Sequence, residues 1–145
     1  MCFRVIFKLD EIETIAKEVL DKVDCKTILF YGEMGVGKTT LIKALVKALG
    51  GTEDVTSPTF SLVNEYEVTN DKVYHFDMYR IRDAEEALDI GIEDYLGSGH
   101  WIFMEWPGKI DVLLPKEAVK LSLKMHKSGS RALDLELVNR ILEKS

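Results

Sequence analysis

The segment "YGEMGVGKTTLIKAL", Tyr31 to Leu45, contains the pattern G-x-x-x-x-G-K-[ST], which is typical of a phosphate-binding loop between a strand and a helix. Glycines in such a loop allow a tight turn and bring backbone N–H groups close to phosphate oxygens. Lys38 supplies a positive charge for β- and γ-phosphates, and Thr39 offers a hydroxyl group to a magnesium ion. The predicted nucleotide-binding segment comprises Gly32, Glu33, Met34, Gly35, Val36, Gly37, Lys38, Thr39 and Thr40.

The sequence on either side of this loop provides the context that a phosphate-binding loop requires. "KTILFYG" (26–32) is a short apolar run before the loop and is typical of a buried strand. "KTTLIKALVKALGG" (38–51) predicts a helix that ends at a pair of glycines and directs its positive N-terminal end at the bound anion. The predicted apolar face of that helix consists of Leu41, Ala44, Leu45 and Ala48.

The rest of the chain mixes helical and extended patterns. We predict helices over 10–23, over 83–96 with a break near Gly91, and over 137–144; a strand over 100–106; and two β-hairpins, 61–80 and 118–137. Such an alternation around a phosphate loop indicates an α/β fold, and the hairpins exclude a wholly parallel sheet. We expect one P-loop NTPase-like domain, residues 1–145, with a mixed sheet that has antiparallel edge hairpins and is flanked by helices.

Composition limits the class of protein. The net charge is −6, and residues 61–100 hold ten acidic but only three basic side chains. The chain therefore lacks the broad basic face of an autonomous nucleic-acid binder, and any nucleic acid in its biology should be held mainly by another molecule. The acidic run 82–94 is either a solvated helix face or a docking surface for a basic partner. No membrane-spanning stretch or signal peptide is evident, and the two cysteines form no disulfide or metal pattern, which together favour the cytoplasm.

Two carboxylates are candidates for the second half of a hydrolytic site. Glu105 ends the apolar run "WIFME", where a magnesium ion beside a phosphate loop needs an acid or a water held by one. Asp77 shares a strand face with His75 and Tyr79, since side chains alternate along a strand. Asp77 could position a water, bind the metal, or form a structural ion pair with a following arginine.

Further polar and aromatic positions have more than one interpretation. Thr59, in "TSPTF", could sense a γ-phosphate as switch-loop threonines do, or belong to an ordinary turn. Trp106 follows Glu105 and is either a core plug or an exposed anchor for a base or a partner. The three histidines lack metal-ligand spacing, so we assign them structural roles. No N-K-x-D guanine signature occurs, which weakly favours ATP.

In chain order, "GEMGVGKTT", "SPTF" followed by "NEY", "HFDMYR" and "MEWP" resemble the motifs of the TsaE (YjeE) family over nearly the whole chain. The resemblance implies a small bacterial ATPase that is required for threonylcarbamoyladenosine formation in tRNA. It also implies action on the TsaB–TsaD complex, in which TsaD transfers the threonylcarbamoyl group, with ATP and Mg²⁺ bound at that assembly. Hydrolysis would then reset the complex between turnovers.

The resemblance also implies roles for individual residues. Lys38, Thr59, Asp77 and Glu105 would serve catalysis, Thr39 and Glu105 would hold Mg²⁺, and Trp106 would couple hydrolysis to the partner. One departure is Gly108, where the family often has an acidic residue, so no acid can act at that position here.

Two other functions compete with this interpretation. A small P-loop kinase would need an acceptor pocket and an arginine-bearing lid, but this chain has five arginines and no segment of obvious lid length. A nucleotide sensor without turnover would not need the complete set of Lys38, Thr39, Asp77 and Glu105. Screening of phosphoryl acceptors tests the first alternative, and partner-stimulated hydrolysis tests the second.

Overall fold

A computed structural model describes residues 2–52, 54–55 and 62–139, with side chains as far as residue 137. The strands are β1 Cys2–Phe7, β2 Thr27–Tyr31, β3 Val63–Val68, β4 Asp71–Asp77, β5 Trp101–Glu105, β6 Glu117–Met125 and β7 Arg131–Asn139. The α-helices are α1 Ile12–Lys22, α2 Lys38–Ala48, α3 Ala84–Asp89 and α4 Ile92–Leu96. Short 3-10 segments occupy Leu9–Glu11, Pro107–Leu113 and Lys127–Gly129.

The strands form one mixed sheet in the order β1-β7-β6-β2-β5-β4-β3. The centre is parallel, because β2 pairs with β5 and β6 and β4 pairs with β5 in that sense. Both edges are antiparallel hairpins, β3–β4 on one side and β6–β7 on the other, and β1 pairs with β7 at the outer edge. The predicted α/β architecture with a mixed sheet and antiparallel edges is confirmed.

The two faces of the sheet pack against different helices. Along β2, the side chains of Ile28 and Phe30 lie in a core that α1 and α2 complete, while Leu29 lies in a second core beneath α3 and α4. This alternation follows from the two-residue side-chain period of a strand. The apolar run before the phosphate loop is therefore buried on both faces, as a central parallel strand should be.

Strand register brings the predicted acids together beside the phosphate loop. Asp77 and Glu105 are partners across β4 and β5, and Glu105 pairs with Phe30 of β2. The three strands are parallel, so their carboxyl ends meet at one edge of the sheet, where ligands of open α/β sheets bind. The phosphate loop begins at that edge, directly after Tyr31.

Some details of the predicted elements are wrong. Residues 137–139 are the end of β7 rather than the start of a helix, because the antiparallel register continues to the pair Asn139–Glu117, and residues 140–144 lie outside the described part. Ala48 is exposed, and the buried face of α2 includes Ile42 and Val46. The N-terminal strand β1 was not anticipated. Within the described residues, the helices are all too short or too polar to cross a membrane.

Candidate functional site

The phosphate loop joins β2 to α2 through backbone that only glycine adopts easily. Gly32 has φ +149°, and a Cβ there would lie 2.8 Å from the carbonyl oxygen of Leu123 on β6. Gly37 has φ +114° and forms the N-cap of α2, with open space where a Cβ would point. The first glycine therefore permits close packing against the sheet, and the second leaves room for a ligand at the helix N-terminus.

Lys38, the first residue of α2, is only 5% exposed. Its Nζ donates to the carbonyl oxygen of Gly32 at 2.6 Å and lies 3.5 Å from the ring centroid of Trp106. Burial lowers the pKa of Lys38, while the nearby carboxylates of Glu105 and Asp77 oppose that shift. The amine is thus desolvated and aimed at the loop, where an added anion would stabilise its charge.

Thr39 and the two acids surround a small cavity next to the loop. The hydroxyl of Thr39 lies 3.3 Å from Oε1 of Glu105, which is itself 3% exposed. The cavity has a volume of about 220 Å³, and its lining consists of Met34, Gly35, Gly37, Lys38, Thr39, Thr40, Asp77, Glu105 and Trp106. Most of the predicted site residues therefore meet in one place. Gly32, Glu33 and Val36 line an adjoining cavity of about 590 Å³ instead.

Asp77 ends β4 and is half-buried at the rim of the cavity. Its Oδ1 accepts a hydrogen bond of 3.0 Å from the backbone N–H of Tyr79, which fixes the carboxylate at the strand end. Within the described part of the chain it forms no ion pair with Arg80 or Arg82, and Arg82 pairs with Glu86 at 2.6 Å. The carboxylate of Asp77 therefore lines the cavity together with Glu105.

Trp106 is half-buried and takes the left-handed backbone conformation, with φ +55°. Its ring contacts the ring of Tyr79 with the centroids 5.0 Å apart, in addition to the amine of Lys38. Trp106 lines the site cavity and two neighbouring cavities of about 590 and 300 Å³. It is thus neither a simple core plug nor a free surface anchor, but forms a wall of the cavity beside the loop.

Two residues at the site were not singled out from the sequence. His75 is completely buried, and its Nε2 lies 2.7 Å from Oε2 of Glu105. Arg131 of β7 donates through Nε to the carbonyl oxygen of Val36 at 3.1 Å and so fixes the loop from behind. The motif "HFDMYR" contained a signal for His75, whereas nothing local to "SRALD" indicated a contact with a loop so distant in sequence. Thr59 lies outside the described residues.

The donor set fits a magnesium ion better than a transition metal. A hydroxyl group and carboxylates are hard oxygen ligands, and Mg²⁺ usually takes one or two carboxylates and completes its shell with water and phosphate oxygens. Among the described residues there is no cluster of three or more His, Cys, Asp or Glu of the kind that holds a metal by protein ligands alone. Thr39 and Glu105 are the residues that could hold Mg²⁺ beside a bound phosphate.

Comparison with solved structures supports the fold. The crystal structure of Bacillus subtilis YdiB superimposes with a TM-score of 0.74 and covers 96% of this chain and 88% of that chain, at 24% sequence identity. The likeness extends over nearly the whole chain and not only over the phosphate loop. It supports the α/β architecture with a mixed sheet.

Comparison with known sequences identifies the family. The proteins called tRNA threonylcarbamoyladenosine biosynthesis protein TsaE are 37% identical in Haemophilus influenzae (68% of this chain, 63% of that protein) and 32% identical in Rickettsia typhi (80% and 81%). The one from Bacillus subtilis is 33% identical over 77% of this chain and 70% of its own length. The family model for threonylcarbamoyl adenosine biosynthesis protein TsaE matches residues 7–133. The chain therefore belongs to the TsaE family of threonylcarbamoyl adenosine biosynthesis proteins.

Proposed function

We propose that this chain binds ATP with Mg²⁺ and hydrolyses it, slowly alone and faster on the TsaB–TsaD complex, during threonylcarbamoyladenosine formation in tRNA. The observation that carries the proposal is the meeting of Lys38, Thr39 and Glu105 in one cavity at the N-terminus of α2. Lys38 and Glu105 are both almost completely buried. Burial of opposite charges is costly unless they interact with each other or with a ligand, so their retention at a phosphate loop favours chemistry over stability.

Each residue has a role that its position supports. The backbone N–H groups of the loop and the N-terminus of α2 would bind the phosphates. An ammonium group has three donor hydrogens, so Lys38 can keep its bond to Gly32 and still donate to phosphate oxygens. Asp77 would orient the attacking water, since it lines the same cavity as Glu105 and its carboxylate is held at the strand end by the N–H of Tyr79.

Thr39 and Glu105 would hold the magnesium ion. When bound, Mg²⁺ neutralises charge that develops on phosphate oxygens during the transfer of the γ-phosphoryl group to water. The Thr39 hydroxyl follows the loop lysine, as in phosphate loops generally, and Glu105 supplies the acid from the end of the neighbouring strand. Thr39 and Glu105 would thus contribute by positioning the ion and by their charge and polarity. The reaction would need no covalent intermediate with the protein.

Charge and family membership support the proposed partner and location. A chain with net charge −6 and an acidic middle section would not grip tRNA strongly by itself. We therefore propose that tRNA is reached indirectly, through the TsaB–TsaD complex, in the cytoplasm. Trp106 would couple nucleotide hydrolysis to the partner, because its ring contacts Lys38 and also lines a neighbouring open cavity.

The test is Mg²⁺-dependent release of phosphate from ATP by the purified chain, alone and with TsaB–TsaD. Glu105→Gln keeps the size of the side chain but removes its charge, so we expect hydrolysis to fall by at least about tenfold while nucleotide binding in EDTA is retained. Glu117→Gln is the matched control, because Glu117 is exposed at the start of β6, at the end of the sheet opposite to the carboxyl ends of β2 and β5. An unchanged rate in Glu105→Gln would refute the metal role.

The same assay separates the competing functions. Stimulation by TsaB–TsaD supports a partner-gated ATPase, and binding without any turnover, alone or with the complex, indicates a sensor. Transfer of ³²P from ATP to a nucleotide or metabolite, with no release of free phosphate, would indicate a small P-loop kinase and refute the proposal.

A further inference from the structure

His75 lies at the centre of a buried chain of hydrogen bonds that ends at the proposed metal site. It is fully buried on β4, with Nδ1 3.3 Å from the hydroxyl of Tyr66 on β3 and Nε2 2.7 Å from Oε2 of Glu105 on β5. The chain continues through Oε1 of Glu105 to the hydroxyl of Thr39 on α2. It thereby connects the edge hairpin with the helix that follows the phosphate loop.

The direction of these hydrogen bonds is fixed by chemistry. An ionised carboxylate only accepts, so Nε2 of His75 carries a hydrogen and donates it to Glu105. In the neutral ring Nδ1 is then an acceptor, and Tyr66 is its donor. The oxygen of Tyr66 also accepts from the side-chain amide of Asn64 at 3.3 Å. With these directions, each hydrogen bond from Tyr66 on β3 to Glu105 on β5 has one donor and one acceptor.

The consequence concerns the orientation of Glu105. A glutamate has several rotatable bonds, and a carboxylate at a strand end could turn either oxygen toward the cavity. Since His75 holds Oε2, Oε1 is the oxygen that faces Thr39. Histidine–carboxylate contacts of this kind orient metal ligands in many proteins, and their loss costs about 10- to 100-fold in metal affinity or activity.

We propose that His75 is a positioning residue that fixes the Glu105 carboxylate toward the Mg²⁺ site, with Tyr66 holding Nδ1 of its ring. The inference rests on the proposed function, because it assigns a task to the same acid. A positioning role for His75 differs from a merely structural role in one respect. It requires a donor nitrogen at the position of Nε2, whereas a structural role requires only that the space of the ring is filled.

Two amide substitutions test that distinction. His75→Gln places its amide nitrogen as many bonds from Cβ as Nε2 of histidine, so it can still donate to Glu105. His75→Asn places its nitrogen only as far as Nδ1, so it can reach toward Tyr66 but not Glu105. Both remove the ring and bury an amide, so losses of packing should be similar. His100→Asn is the control. His100 lies at the other end of β5, about 16 Å from Glu105, and its Nδ1 contacts Oδ1 of Asp71 at 2.7 Å.

The readout is Mn²⁺ binding to the full chain saturated with a non-hydrolysable ATP analogue, followed by the EPR signal of free Mn²⁺. We expect His75→Asn to bind Mn²⁺ about 10- to 100-fold more weakly than the wild type. His75→Gln should recover most of that loss, and His100→Asn should bind like the wild type. The Mg²⁺ concentration for half-maximal ATP hydrolysis should shift in the same order.

The outcomes separate this inference from the proposed function. Equal Mn²⁺ affinities in wild type and His75→Asn, or equal losses in His75→Asn and His75→Gln, would overturn the positioning role. A wild-type chain that binds Mn²⁺ with the analogue but never hydrolyses ATP would refute only the proposed function. A wild-type chain that binds no Mn²⁺ would overturn the inference and the proposed metal site together.

Discussion

Replacing glycines of the phosphate loop with alanine should separate the stability of the fold from its capacity to bind nucleotide. In Gly32→Ala the new Cβ meets the backbone oxygen of Leu123 at 2.8 Å and Cγ1 of Val36 at 2.9 Å, at a φ of +149°. Strain in an unfavourable backbone region costs about 1–3 kcal/mol, and overpacking against groups that cannot move costs about 1–3 kcal/mol more. We therefore expect the free energy of unfolding to fall by about 2–6 kcal/mol.

Gly37→Ala should behave differently, although it changes the same motif in the same way. Its φ of +114° carries the strain, but no atom lies within 4 Å of the new Cβ. The expected loss of stability is about 1–3 kcal/mol from strain alone. The added methyl group instead occupies space at the helix N-terminus, where phosphate would accept from backbone N–H groups. Loss of one hydrogen bond to a charged group costs about 1.5–3 kcal/mol, so nucleotide affinity should fall at least about tenfold.

Urea unfolding measures the first quantity, and quenching of tryptophan fluorescence by added nucleotide measures the second. Gly99→Ala is the control for strain, because Gly99 has φ +80°, has no atom within 4 Å of its Cβ position, and precedes β5 at the far end of the sheet. If Gly32→Ala were no less stable than Gly37→Ala, the close approach of the loop to β6 would not matter energetically. Unaltered nucleotide affinity in Gly37→Ala would show that phosphate binds elsewhere.

Three further predictions concern other parts of the chain. Lys38→Met keeps the aliphatic stem but removes the charge, so nucleotide binding measured by calorimetry should be lost with little change in melting temperature, and normal binding would reject the site. Trp106→Ala should reduce stimulation of hydrolysis by TsaB–TsaD more than basal hydrolysis, whereas a melting temperature many degrees lower would instead indicate a core role. Burial of Asp71 opposes its ionisation, but hydrogen bonds from Lys26 and His100 outweigh this effect and lower its pKa to about 2. Because the pKa is lowered from 3.8, the resulting stability is present above about pH 4 and is lost as the pH falls toward 2. Asp71→Asn should cost about 1–2 kcal/mol at pH 7 after allowance for solvent screening, and equal urea-unfolding free energies at pH 7 would contradict this.

The sequence predicted those parts of the fold whose information is local. The phosphate loop, the strand before it and the helix after it depend on neighbouring residues, and both hairpins have short polar connections between alternating runs. The prediction for the end of β7 was wrong because the local pattern of "LVN" is compatible with a helix or a strand. The conformation of this segment depends on its pairing with β6, which extends to Glu117. Strand β1 was missed for a related reason, since its short pattern acquires meaning only when β7 pairs with it.

Both acids of the candidate site could be selected from local patterns. Glu105 ends an apolar run, and Asp77 lies on the polar face of a strand that was predicted to continue to Arg80 but ends at Asp77. Their adjacency could not be predicted, because it depends on the order in which strands are placed and on the register between β4 and β5. His75 shows the same limit more sharply. The strand face of His75 was predicted correctly. Only the register between β4 and β5 shows that His75 lies within hydrogen-bond distance of Glu105.

Trp106 combines information that no local pattern contains. A left-handed backbone conformation is unfavourable for a bulky residue, and such strain persists only where surrounding contacts determine it. Here the contacts are with the amine of Lys38 and the ring of Tyr79. The turn directs the indole back over the phosphate loop immediately after Glu105, the proposed metal ligand. A partner that moved this ring would change the surroundings of Lys38 and the backbone next to Glu105 together, and this is the physical reason for placing partner coupling at Trp106.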